Sequence, residues 1–475
     1  MSDTVSPVEE QQLPKKESSS TSSVEVPGSD KDKRIIKICF VFFGIATLLV
    51  FNALLSDIDF FNHYQATETR NPSVIYPFLN FILNILFQFV IICSKKKKKY
   101  KNPLILSIVF QLIALILLPV SVLCFEKKSD VSFYFTSGIV FIMGYITAVC
   151  TSYFMGLASH FPVENIVSLS LGQGLAGILM NVLKYLTLIF LPVKEGDPNE
   201  EKMINLGTLV FFSVSGLVMI ICFIFLVIAY NNEYFIAALE KCGQIGNIAT
   251  APTIENPPQM PVRDYLLPKG LDDTTRSSIR DSIDNTVLVN QMQTLETEDD
   301  KTNSFLFLIK QLMDINILIF LAYFVTFTVF PGACLQPALF GLNDHWKPNT
   351  VVTIFNIFDT LGRKCVSFFK PRKWMLWIAT LIRFVLLFSI PYDDYLDHKG
   401  YAQASSILLI GNVVFIAFTN GIATSLAYAL GPKCVRSYLK GKAGSSVSFF
   451  NIVGIFTGTV AAFGMDALIR YLQKQ

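Results

Sequence analysis

"NIFDTLGRK", residues 356–364, lies between the apolar runs "TVVTI" (350–354) and "CVSFF" (365–369). Whether this stretch crosses a lipid bilayer decides the fold, because it separates an eleven-span chain from a ten-span one. A charge held at mid-membrane costs about 2.5–3.5 kcal/mol even on the insertion scale. Asp359 and Arg363 are four residues apart, so on a helix they share one face, with the acid before the base in the favourable order. Asn356 lies near that face. The stripe Asn356, Asp359, Arg363 must therefore point into a helix bundle or a watery cavity. Two readings stay open: an ion pair that braces the helix, or a pair that grips a polar substrate, with Asp as acceptor and Arg as donor.

The surrounding chain supports a membrane setting. Of 475 residues, 52% are hydrophobic, 42 are Phe and only 16% are charged, against about 25% charged in soluble proteins. The mean hydropathy is +0.49. A spanning helix needs about 20 apolar residues. Runs of that kind occur at 36–55, 73–93, 103–125, 132–155, 166–191, 206–230, 315–338, 350–369, 374–391, 403–430 and 444–466. The prediction is an all-α integral membrane protein with eleven transmembrane helices.

A long polar segment, 231–313, divides these spans into six and five. It contains "APTIENPPQMP" (251–261) and "DDTTRSSIRDSIDNT" (272–286), the composition of a flexible linker. Ile279, Ile283 and Val287 recur every four residues and allow a short amphipathic helix there. The expected organisation is a disordered tail (1–34), a six-helix bundle (35–230), the linker (231–313) and a five-helix bundle (314–475). Two bundles joined in this way suggest a transporter that rocks about a central site.

Orientation follows from Lys and Arg beside the spans. "KDKRIIK" (31–37), "KKKKKYK" (95–101), "KPRK" (370–373) and "KCVRSYLKGK" (433–442) fall on one side, together with the linker. The opposite loops, among them "KEGDPNEEK" (194–202) and "YDDYLDHKG" (392–400), are acidic on balance. The tail and linker are thus expected in the cytoplasm and the C-terminus outside the cell, with the plasma membrane as location. Asp57 and Asp59, at the outer end of span one, read as solvated, with an outer gate as the alternative.

Small residues mark close helix packing. Gly144, Ala148, Ser152 and Gly156 repeat every four positions, Gly172 and Ala176 share a face, and Gly454 and Gly458 form GxxxG. Gln173, an amide in mid-helix, either bonds across helices or touches substrate. Asn420 either faces the cavity or caps a helix break at Gly421.

Other chemistry finds little support. The nine cysteines show no CxxC or paired spacing, so neither a disulfide framework nor a zinc site is expected. His63, His160, His345 and His398 are far apart, in loops or at helix ends, which leaves no enzyme constellation. No cofactor, metal, nucleic acid or obligate protein partner is implied; the expected partners are membrane lipid and a small substrate.

Several stretches together resemble the equilibrative nucleoside transporter family. They are "ATLLVFN" (46–52), "GQGLAG" (172–177), "YFVTFTVFPG" (323–332), "FNIFDTLGR" (355–363), "AFTNGIATSLAYALGPKCV" (417–435) and "KAG" (442–444). The likeness extends over nearly all eleven spans. It implies a 6+5 arrangement similar to the major facilitator fold, and movement of nucleosides, in some members nucleobases, down their gradients. The resemblance favours Asp359 and Arg363 as substrate-binding residues. It adds Leu48, Phe51, Asn52 and Thr151 to the candidate set of Gln173, Asn356 and Asn420. Two positions depart from the family pattern. Phe51 stands where the family has Trp, so it stacks on a base without an indole N–H to donate. Thr151 stands where many members carry a Gln that bonds the base. Two alternatives remain: a proton-coupled nucleoside or nucleobase symporter, and a facilitator-type carrier of another small polar solute.

Overall fold

The computed structural model describes residues 29–68, 70–94, 99–191, 199–241, 305–335, 337, 339, 347–435 and 439–473. Among them the chain is almost wholly helical: α1 (Asp30–Ser56), α2 (Ile58–Gln65), α3 (Pro72–Cys93), α4 (Lys101–Leu123), α5 (Asp130–Ala158), α6 (Val163–Phe190), α7 (Glu200–Tyr230), α8 (Glu233–Lys241), α9 (Phe305–Val329), α10 (Lys347–Cys365), α11 (Lys373–Leu381), α12 (Leu386–His398), α13 (Ala402–Leu430) and α14 (Lys440–Gln473). A 3₁₀ turn, Ile382–Val385, joins α11 to α12, so the two make one span. Local chemistry sets several helix starts. The Ser29 hydroxyl accepts from the Lys31 amide, with Asp30 and Asp32 in the first turn of α1, where carboxylates favour the helix dipole. Asn71 caps α3 and Pro72 begins it, a position where the missing N–H costs nothing.

Ten helices among the described residues are long and apolar enough to cross a membrane. The helix α10 is too polar to join them on composition. Its packing supplies what its composition lacks: it lies against α6 and α13, buries Asp359 and Arg363, and turns Ile357 and Leu361 outward. The stretch expected as a span at 350–369 is therefore a helix whose polar face is covered by protein.

Contacts fall into two sets. In the first, α1 packs on α6 and α7, α3 on α5, and α4 on α5 and α7; in the second, α9 packs on α14, and α10 and α12 on α13. The sets meet where α6 touches α10 and α13, and where α14 touches α3 and α5. Burial is reversed relative to a soluble protein. On α3, Asn80, Asn84 and Gln88 are buried while Leu86, Phe89 and Val90 are exposed. This is the pattern of helices whose outer faces meet lipid and whose polar groups need partners inside.

The glycine ridges are crossing points. A Cβ on Gly172 would lie 1.9 Å from the Val41 carbonyl, and one on Gly44 would lie 2.0 Å from the Leu169 carbonyl, at the α1–α6 crossing. Gly454 and Gly458 meet the Phe320 and Phe324 carbonyls in the same way at the α9–α14 crossing. Gly144 meets Asn80 of α3, and Gly156 meets Gly441 of α14.

The structure corrects four expectations. The helix α9 starts at Phe305 and ends at Val329, not at 315 and 338, because Pro331 cannot continue a helix and disfavours helical backbone just before it. The segment expected as linker begins with the helix α8. Third, "YDDYLDHKG" is mostly helix rather than loop: α12 runs on to His398, and Asp393 and Asp394 are buried. Fourth, Asp57 is buried and paired with Lys184 at 2.5 Å; Asp59 is exposed. The tail up to residue 28 and the amphipathic repeat at Ile279, Ile283 and Val287 lie outside the described residues.

Candidate functional site

The stripe on α10 reaches into the seam between the two helix sets. Arg363 Nε donates to Asp359 Oδ2 at 2.7 Å, and both side chains are buried. Each residue has further partners on other helices. Asp359 Oδ1 accepts from Asn420 Nδ2 of α13 at 2.7 Å. Arg363 Nη1 donates across the seam to α6: to the Ser170 carbonyl and hydroxyl, each at 3.1 Å, and to Gln173 Oε1 at 3.2 Å. Its Nη2 donates to the Tyr323 hydroxyl of α9 at 3.4 Å. Gln173 then donates to Thr47 Oγ1 of α1 at 3.3 Å, and the Ser170 and Ser425 hydroxyls lie 2.8 Å apart. One pair of charges thus gathers five helices.

Close backbone approach makes this reach attainable. A Cβ on Gly174 would meet Thr360 Oγ1 at 2.5 Å, and one on Gly177 would meet the Asn356 amide at 2.7 Å. On the other side of α10, a Cβ on Gly362 would lie 2.2 Å from the Phe418 carbonyl and one on Gly421 would lie 2.0 Å from the Asp359 carbonyl. Without side chains at these positions, α6 and α13 close on α10 and bring its polar groups within hydrogen-bond length.

Of the expected site residues, Asp359, Arg363, Gln173 and Asn420 join in one network. Gln173 bonds across helices, and Asn420 faces Asp359 within a continuous helix, with no break at Gly421. Asn356 packs on Gly177 one turn away. Leu48, Phe51 and Asn52 are half-buried on α1, and the Phe51 ring lies 5.2 Å from that of Phe81. Thr151 is buried on α5. These last four make no hydrogen bond to the charged pair.

Sequence reading missed Arg383. It is fully buried and lies in the 3₁₀ turn between α11 and α12. It donates from Nη1 and Nη2 to Asn420 Oδ1, at 3.2 and 3.3 Å, and from Nη2 to the Thr326 hydroxyl. The signal was present: a lone Arg in the run 374–391 carries the same membrane cost that singled out Asp359. Tyr323, Thr326 and Ser170 gave no comparable signal, because hydroxyls are common in membrane helices.

Comparison with known proteins places the chain as a whole in a family. The family model described as "Nucleoside transporter" matches residues 137–467. Equilibrative nucleotide transporter 1 of Arabidopsis thaliana is 23% identical over 445 residues, 90% of this chain and 85% of that protein. Equilibrative nucleoside transporter 2 of Mus musculus is 22% identical over 470 residues, 92% of this chain and 97% of that protein. Among solved structures, the major facilitator superfamily proton:xylose symporter XylE bound to 6-bromo-6-deoxy-D-glucose superposes with a TM-score of 0.57. Its identity is 13%, and the match covers 93% of this chain and 90% of that one. At that identity the likeness shows the fold.

Proposed function

The chain belongs to the nucleoside transporter family, and from that premise we propose that it moves nucleosides, and nucleobases with them, down their gradients across a membrane. The reading places substrate between two bundles, 35–230 and 314–475, that expose the site alternately to either side. The observation that carries it is the buried Asp359–Arg363 pair, held at the seam between the two helix sets. Asp accepts and Arg donates, which together match a ribose diol. In the conformation described, Ser170 and Gln173 occupy Arg363 from the opposite set. A ribose bound there would take over those bonds. Substrate binding would thus exchange contacts between the halves for contacts to the sugar, a differential interaction of the kind a conformational change requires. In this reading the half-buried Phe51, Leu48 and Asn52 supply a wall for the base, and Thr151 and Asn356 are further substrate contacts.

The proposed setting is the plasma membrane, with the tail and the 231–313 segment in the cytoplasm and the C-terminus outside. Tags at residue 290 and after Gln475 should be accessible from opposite faces of an intact cell; labelling from one face removes this arrangement. Uptake of labelled uridine, adenosine, hypoxanthine and glucose into vesicles, with mutual competition, tests the substrate class. Saturable uridine or adenosine uptake that ceases when concentrations equalise is expected.

A second reading, proton-coupled transport, has one observation in its favour. Asp393 is fully buried; its Oδ1 accepts from Ser405 at 2.8 Å, and among the described residues its Oδ2 has no hydrogen-bond partner. A buried carboxylate without a cation is costly, and a transported proton would remove that cost. Accumulation of unmetabolised substrate above the outside level, abolished by a protonophore, would select this reading over the first.

A further inference from the structure

We infer that Arg383 is a positioning residue that sets the site carboxylate through Asn420. The inference rests on the reading of Asp359 as a ribose acceptor, and its test separates the two. Arginine has donors only, so the Asn420 side-chain atom that faces it must be the amide oxygen. Arg383 holds that oxygen from two nitrogens, and the Thr326 hydroxyl donates to it as well at 3.1 Å. With Oδ1 fixed in this way, the amide can present only its N–H₂ to Asp359, and it does so at 2.7 Å. A reversed amide would set its oxygen against the Asp359 carboxylate and its N–H₂ against a cation. Arg383 therefore decides the polarity of the chain Arg383–Asn420–Asp359–Arg363.

The arrangement has an electrostatic consequence. Arg383 is fully buried and pairs with no carboxylate among the described residues. Its charge is answered through the Asn420 dipole, which passes positive potential on to Asp359 Oδ1. Asp359 thus serves two guanidiniums, one directly through Oδ2 and one through an amide. Its oxygens are held on two sides by α10 and α13, so a sugar hydroxyl meets an acceptor whose direction is set before binding, a general route to affinity. The location of Arg383 strengthens the case. A 3₁₀ turn interrupts the span at Ile382–Val385, and this break carries a side chain too polar for lipid inward to Asn420.

The test compares uridine with 2′,3′-dideoxyuridine, measured as uptake per surface-expressed molecule of the full chain. The variants are Arg383→Lys, Asp359→Asn and the double. Arg383→Lys keeps the charge but loses the two-nitrogen grip. Expected for Arg383→Lys is a rise in KM for uridine of about tenfold, the loss of one charge-assisted bond, with dideoxyuridine changed by less than about twofold. In the double, uridine uptake should fall no further than in Asp359→Asn alone, because both changes act on one acceptor. Equal loss for the two substrates, or losses that add in the double, would overturn the inference and leave Arg383 a packing residue. If Asp359→Asn itself reduces both substrates equally, the ribose reading fails; the double then judges positioning alone, with non-additive loss supporting it and additive loss ending it. If Arg383→Lys does not reach the surface, Thr326→Val, which removes a hydroxyl bonded to both Arg383 and Asn420, is put through the same comparison. A smaller loss selective for uridine supports the inference, and equal loss overturns it.

Discussion

The first helix set, α1 to α7, and the second, α9 to α14, bury polarity by different means. Inside the first set the buried polar groups are mostly amides and hydroxyls. Gln65 is typical: its Nε2 donates to Ser132 and Thr136 at 2.7 and 3.0 Å, and its Oε1 accepts from Tyr76. Its one buried acid among the described residues, Asp57, pairs with Lys184 at the end of α1. The second set buries Asp359, Arg363, Arg383, Asp393 and Asp394. Neutral hydrogen bonds contribute modestly and fail one at a time. The buried Asp359 and Arg363 are held in place by one another, so removing one leaves the other uncompensated. The first set is therefore expected to tolerate polar substitution, and the second to concentrate both function and fragility.

Asp359→Asn should have the largest effect. It strips the carboxylate from Arg363 and, through Asn420, from Arg383. Breaking one buried pair typically costs about 3–5 kcal/mol, so surface level and thermal stability in detergent should both fall. A variant with parental stability would show that the two guanidiniums do not depend on this acid. Gly421→Ala follows. Its Cβ would lie 2.0 Å from the Asp359 carbonyl, and forcing α13 from α10 should cost about 3 kcal/mol, the upper end of common overpacking penalties. Uptake should drop with it, because Asn420 moves with α13; unchanged uptake would mean the crossing is softer than its geometry implies.

Gln65→Leu probes the first set. Ser132 and Thr136 keep carbonyl acceptors of their own, so the Tyr76 hydroxyl is the donor left without its Gln65 partner. A cost of about 1–3 kcal/mol is expected, with riboside selectivity intact. A loss matching that of Asp359→Asn would erase the contrast between the sets. The smallest effect belongs to Gly411→Ala, ten residues before Gly421 on the same helix, where a Cβ meets nothing within 4 Å. Alanine there should stabilise by about 0.5–1 kcal/mol, read as a rise in melting temperature with uptake unchanged.

The same chain shows which features a sequence discloses. Spans were legible because hydropathy sums over a local window. The stripe of α10 was legible because two charges in an apolar run admit few explanations. Arg383 obeys the same logic and was overlooked inside a run otherwise clear enough to be read as plain lipid-facing helix. Asp393 and Asp394 were misread for the opposite reason. "YDDYLDHKG" has the composition of a loop, and only neighbours such as Ser405 on α13 keep it helical and covered.

The sequence by itself determined the membrane class, the approximate bounds of the spans, the family motifs and the shared face of Asp359 and Arg363. These are properties of residues within a few turns of one another. The tertiary structure decided what those charges touch. Arg363 meets Ser170, 193 positions away, and Asp359 meets Asn420, 61 positions away. Such pairings depend on which glycines let which helices cross, and on how each amide is oriented by its far partner. No local pattern encodes either, because the free energy that selects them arises only once the helices have met.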